Sequence, residues 1–168
     1  MTSLTTFAGN ADFVDALTHA HVEFLVVGGL AVVFYKCRNP GNAGDLDLLL
    51  NPSSQNAERF ISILSSPILK KLFNLELCRL PSVPQVARAN FHIPLKFDPM
   101  LDIDVFTPLE DVSFAQLFSR SERALLNDKI PVRIISRPDL VEMKRRAIRM
   151  LPKDKKKHED DLRCLEVI

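Results

Sequence analysis

The stretch from Phe24 to Leu50 constrains the fold more than any other. It begins with the apolar run Phe24-Leu-Val-Val27, passes through Gly28-Gly29, and ends in Gly44-Asp-Leu-Asp-Leu-Leu-Leu50. The reading is an apolar strand, a double-glycine turn, a short helix, a polar loop and a second strand that opens with two carboxylates. Asp45 and Asp47 are two positions apart, so on a strand they point to the same face. Two like charges held that way repel unless a cation sits between them, which points to Mg²⁺. The glycines admit a bulky anion close to the backbone, and the helix that follows offers it N-terminal amides. Together these features describe a place for nucleotide phosphates carried on magnesium.

A chain of 168 residues is long enough for one domain with a real core, and residues 1–168 are read as a single domain. The longest apolar run, Phe24 to Tyr35, is too short to cross a bilayer, which needs roughly 20 residues. Met1 to Phe7 has neither a basic segment nor an apolar one, so secretion is not expected. Cys37, Cys78 and Cys164 are odd in number and lack metal-type spacing, so a reducing cytoplasm is the expected setting. A net charge of +1 argues against bulk electrostatic binding to nucleic acid. The charge is unevenly placed, however. Lys144, Arg145, Arg146, Arg149, Lys153, Lys155, Lys156 and Lys157 crowd one C-terminal stretch. That stretch reads either as a solvated helix face or as a surface for a triphosphate or an RNA end.

Periodicity and breakers predict the elements. A helix spans Asn10 to Ala20 with Asn10 as N-cap. A buried strand spans Glu23 to Val27, a helix Leu30 to about Cys37, an irregular loop Arg38 to Gly44, and a strand Leu46 to Leu50. Asn51-Pro-Ser-Ser starts a helix to about Ser65. Pro67 begins a short helical or irregular piece, and Leu75 to Leu80 reads as strand. Gln85 to Phe97 reads as one or two strands, with Pro94 demanding an edge or a bulge. Further strands are expected at Leu101 to Phe106 and Pro131 to Ile135, with helices at Ser113 to Ser119, from a Ser136 cap to Met150, and from Lys153 to Val167. No crossover helix separates the strand before Phe97 from the one after Leu101, so the fold class is α/β (α+β). It should have a mixed sheet, partly antiparallel, packed against helices, with a C-terminal helical pair.

The 101–106 strand repeats the first motif. Leu101, Ile103 and Val105 should face the core, and Asp102 and Asp104 should share the other face. If this strand lies beside 45–50, at least one of its aspartates joins Asp45 and Asp47. Three carboxylates can hold two Mg²⁺ ions about 4 Å apart, the arrangement used in phosphoryl and nucleotidyl transfer.

Gly28-Gly29, Asp45-Leu-Asp47 and the later Ile103-Asp104-Val105, in that order, resemble the polymerase-β-type nucleotidyltransferase superfamily. Ser136-Arg-Pro-Asp-Leu-Val-Glu-Met-Lys144 and Lys157-His-Glu-Asp-Asp-Leu-Arg-Cys-Leu165 are similar to the tail helices of small bacterial nucleotidyltransferases related to abortive-infection toxin–antitoxin toxins. The resemblance covers roughly Val22 to Leu165 and departs at His158, where the tail motif commonly has Asp. It implies the nucleotidyltransferase fold, transfer of NMP from an NTP to a hydroxyl, and Mg²⁺ as cofactor. Asp45, Asp47 and Asp104 are then the catalytic metal ligands, and Gly28, Gly29 and Lys144 lie against the triphosphate. Arg38, in the loop before the metal pair, is a further candidate phosphate contact. The implied acceptor is an RNA end, a protein or a small molecule, and an antitoxin is an implied partner. The alternative is a nucleotidyltransferase-like binding protein that no longer turns over. A haloacid-dehalogenase phosphatase is disfavoured because a glycine-rich loop, not an apolar strand, precedes Asp45.

Overall fold

In the computed structural model, residues 1–42, 45–67, 80–97, 101–150 and 152–167 are described. Seven strands form one sheet in the order β1-β6-β7-β2-β3-β5-β4. They are β1 (Ser3–Leu4), β2 (Phe24–Val27), β3 (Leu46–Leu50), β4 (His92–Phe97), β5 (Leu101–Phe106), β6 (Glu122–Leu126) and β7 (Ile130–Ile134). The sheet is mixed, as expected: β2–β3, β4–β5 and β6–β7 are antiparallel, and β3–β5 and β2–β7 are parallel. All four residues of β2 are buried, so both faces of the sheet centre are covered.

The helices are α1 (Ala8–His19), α2 (Gly28–Phe34), α3 (Ser54–Leu64), α4 (Val83–Val86), α5 (Phe114–Arg120), α6 (Arg137–Met150) and α7 (Lys155–Leu165). The expected C-terminal pair is present, with α6 packed on α7. Among the described residues no helix is long and apolar enough to cross a membrane.

Several sequence expectations need correction. Asn10 does not cap α1. Phe7 does, and Asn10 lies buried within the helix. Its amide donates to the Asp102 carbonyl at 3.2 Å and accepts from the Asp102 N–H at 2.8 Å, which pins α1 to β5. A buried amide needs such partners, and β5 supplies both. Gly28 and Gly29 begin α2 rather than precede it. The loop after α2 contains a 3₁₀ turn, Pro40–Asn42. Gln85 belongs to a helical turn, because Ser82 and Gln85 form a reciprocal capping box. The strand β6 and the short β1 escaped the sequence reading. β6 turns back into β7 through Asn127 and Asp128, both at positive φ, residues that tolerate this conformation in hairpin turns. The expected strand at Leu75 to Leu80 lies, up to residue 79, outside the described residues. Pro94 does sit on an edge strand, where its missing N–H is harmless.

The cysteines are also corrected. Cys37 and Cys164 form a disulfide that fastens the chain after α2 to the end of α7. Cys78 is outside the described residues. The cysteine pattern therefore no longer argues for a reducing compartment.

Candidate active site

Strand register builds the acidic centre. Asp47 on β3 lies directly beside Asp104 on β5, and Asp45 is two positions earlier on the same face. Carboxylate oxygens of Asp45, Asp47 and Asp104 all lie within 4.8 Å of one another, close enough to hold a metal ion. Hard oxygen donors in this number suit Mg²⁺ rather than a thiophilic metal.

Gly28 makes the packing of Asp47 feasible. It adopts φ +64°, and a Cβ there would lie 1.9 Å from the Asp47 Oδ2. No residue with a side chain fits. The Gly29 backbone amide lies close enough to favour the charged Asp47 carboxylate slightly, and Asp47 packs against Gly28 at the first turn of α2.

The electrostatics are those of crowded acids. Burial, then repulsion from Asp45 and Asp104, pushes Asp47 up to about 7. Burial and a hydrogen bond to Asp45 push Asp104 up, and that same bond draws Asp45 down. Like charges held this close disfavour one another's ionised form.

Two residues on β4 join the centre. Lys96 Nζ lies 3.0 Å from Asp45, 3.2 Å from Asp102 and 3.2 Å from Asp104. His92 Nε2 is 2.8 Å from Asp104 Oδ1, and its ring stacks on Phe106. The sequence reading left Lys96 out and gave His92 no place at the site. The signal was available: His92, Pro94 and Lys96 alternate with buried Ile93 and Leu95, and an antiparallel partner for β5 puts them on the aspartate face. Asp102 stays outside the close trio and meets Lys96 instead.

A cleft of about 460 Å³ opens beside Asp47 and Gly28, with Leu49, Phe106 and Met143 on its walls. Lys144 and His158 reach it from α6 and α7. Lys144 is buried, its Nζ 2.8 Å from Asp161 and 3.3 Å from His158 Nδ1. Burial lowers the Lys144 pKa, opposed by Asp161, and burial together with Lys144 lowers that of His158. Lys144 thus lies at the cleft but is anchored to α7. Arg38 is not in the cleft. Its guanidinium pairs with Asp161 Oδ2, the same oxygen that Lys144 contacts.

No protein-family model matches this chain, and no curated protein matches it significantly.

Proposed function

We propose that this chain has the nucleotidyltransferase fold and transfers a nucleoside monophosphate from an NTP to a hydroxyl acceptor with Mg²⁺. The observation that carries the reading is the convergence of Asp45, Asp47 and Asp104, with Asp47 packed against Gly28 and lining a cleft of about 460 Å³. The donor set fits Mg²⁺: the oxygens are hard and close together, and a cation, the Lys96 ammonium, is already drawn to two of the three acids. Asp45, Asp47 and Asp104 would hold the metal, which would neutralise the triphosphate and acidify the acceptor hydroxyl. Gly28 lets Asp47 reach its place, His92 orients Asp104, and Lys144 adds positive charge to the cleft wall. The apolar walls suit a base or ribose face and exclude water from the reacting phosphate.

One observation favours the second reading, a silent nucleotidyltransferase-like binding protein, with an antitoxin among its candidate partners. Lys96 supplies a tethered cation that balances the acids without any metal. Incubation with each radiolabelled NTP, Mg²⁺ and total RNA or cell extract separates the two. Label transfer by the wild type and none by Asp47→Asn supports the enzyme. No transfer, together with no Mn²⁺ binding by electron paramagnetic resonance, leaves the silent protein.

A further inference from the structure

A second groove, of about 790 Å³, lies between the chain after α2 and the start of α7. Five cations, Lys36, Arg38, Lys153, Lys156 and Lys157, line it against three acids. One of those acids, Asp161, is already shared by two buried cations, Arg38 and Lys144. A single carboxylate cannot neutralise both, and an uncompensated charge away from water is costly. The Arg38 side chain is only 10% exposed, and its Nη1 is buried with no hydrogen-bond partner among the described residues. Arginine has five donors in a fixed fork, so Asp161 leaves part of the fork free for another acceptor. The mouth of the groove meets the first turn of α7, an eleven-residue helix whose N-cap, Asp154, makes no side-chain capping bond. Its amides add to the positive field there. The Cys37–Cys164 disulfide ties the chain after α2 to the far end of α7.

We infer that this groove is a second anion site, distinct from the acidic centre, that takes an oligophosphate of two or more linked phosphates. The chemistry selects the class. The five cations are all phosphate partners, and among the described residues the lining includes no aromatic ring on which a base could stack. A single phosphate would satisfy Arg38 but leave the rim lysines unused, whereas a chain of phosphates reaches both. The source is either a free oligophosphate or the phosphate tail of a nucleotide. The Arg38–Asp161–Lys144 chain leads from this groove to the cleft wall, so an anion that draws Arg38 from Asp161 leaves that carboxylate to Lys144 alone.

The test is calorimetric titration of the full chain with inorganic triphosphate in excess EDTA, which keeps metal away from the carboxylates. The expected result is one site whose affinity falls as salt rises. It should weaken at least tenfold in Lys36→Gln/Lys156→Gln/Lys157→Gln and stay unchanged in Asp47→Asn. The three lysines are used because Arg38→Gln risks the fold, and thermal unfolding of the triple variant checks that it is native. Equal binding of ATP and triphosphate identifies the phosphate chain as the recognised part, whereas tighter ATP binding identifies a nucleotide. Absence of binding at millimolar triphosphate, or binding that the triple variant retains, overturns the proposal. Tighter binding in Asp47→Asn, where a repelling carboxylate is gone, would move the site to the cleft and overturn it too. Because no metal is present, failure of label transfer leaves this result untouched, and the reverse also holds.

Discussion

The two charged clusters of this molecule are unbalanced in opposite directions. At the acidic centre three close carboxylates face one tethered ammonium, Lys96. Behind the cleft, two cations, Arg38 and Lys144, face one carboxylate, Asp161. The acidic excess calls for a cation and the basic excess for an anion. The net charge of +1 conceals both. They also differ in construction. Strand register places the acids, so each neighbour follows from the pairing of β3, β4 and β5. The basic cluster joins residues 38, 144 and 161, which only helix packing and the disulfide bring together.

Asp161→Asn gives the sharpest contrast. It leaves two buried cations without their carboxylate, and breaking such a cluster costs about 3–5 kcal/mol. Urea unfolding should show this loss, with triphosphate restoring part of it. A loss near zero would mean the cluster is open to water and the two regions are not comparable.

Reduction of Cys37–Cys164 should rank next. The bridge spans 127 residues, and removing a native disulfide costs about 2–4 kcal/mol, chiefly through the freedom regained by the unfolded chain. Unfolding of Cys37→Ser/Cys164→Ser measures it. The effect should fall on the basic groove, with Mn²⁺ binding at the acids retained in the folded protein. Loss of both together would show that the regions are coupled.

The pH dependence tests the acidic side. Asp47 titrates at about 7 when folded against 3.8 in the unfolded chain. Between those values the native state holds a proton that the unfolded state has released. Metal-free stability should therefore be largest at low pH within that window and fall as pH rises toward 7. Asp47→Asn should remove this contribution and stabilise the metal-free protein at pH 8. Superimposable stability–pH curves for wild type and variant would show that the acids do not repel.

The smallest effect is expected from Lys96→Met. The Lys96 side chain is 52% exposed, so solvent screens its ion pairs to about 0.2–1 kcal/mol. Removing this competitor should tighten Mn²⁺ binding by about two- to fivefold. Weaker binding instead would make Lys96 a support for the acids rather than a rival to the metal.

Much of the acidic centre was legible along the chain. The alternation of Asp45 with Asp47, and of Leu101, Ile103 and Val105 with Asp102 and Asp104, is a local property of strands with one apolar face. It gave the faces and the four candidate carboxylates, and the family resemblance singled out Asp104 among them. Alternation alone could not choose between Asp102 and Asp104, because that depends on the β3–β5 register, which sets Asp104 beside Asp47. Lys96 and His92 were missed for the same reason: β4 had to be paired before its polar face met the acids. Asn10 looked like a cap from its neighbours alone, yet it is buried to serve the backbone of β5, 92 positions away.

The sequence by itself determined which residues carry the chemistry: an apolar strand before two glycines, paired aspartates on strands, and a basic tail. Periodicity and charge are written locally, and local physics reads them. Only the tertiary structure decided which of those residues meet. Arg38, expected at a phosphate near the aspartates, instead pairs with Asp161. Lys144 reaches the cleft only as a partner of α7, and two cysteines that looked unpaired join the chain ends of that cluster. Contacts between distant segments depend on how helices dock on a completed sheet, and no window of sequence contains that geometry.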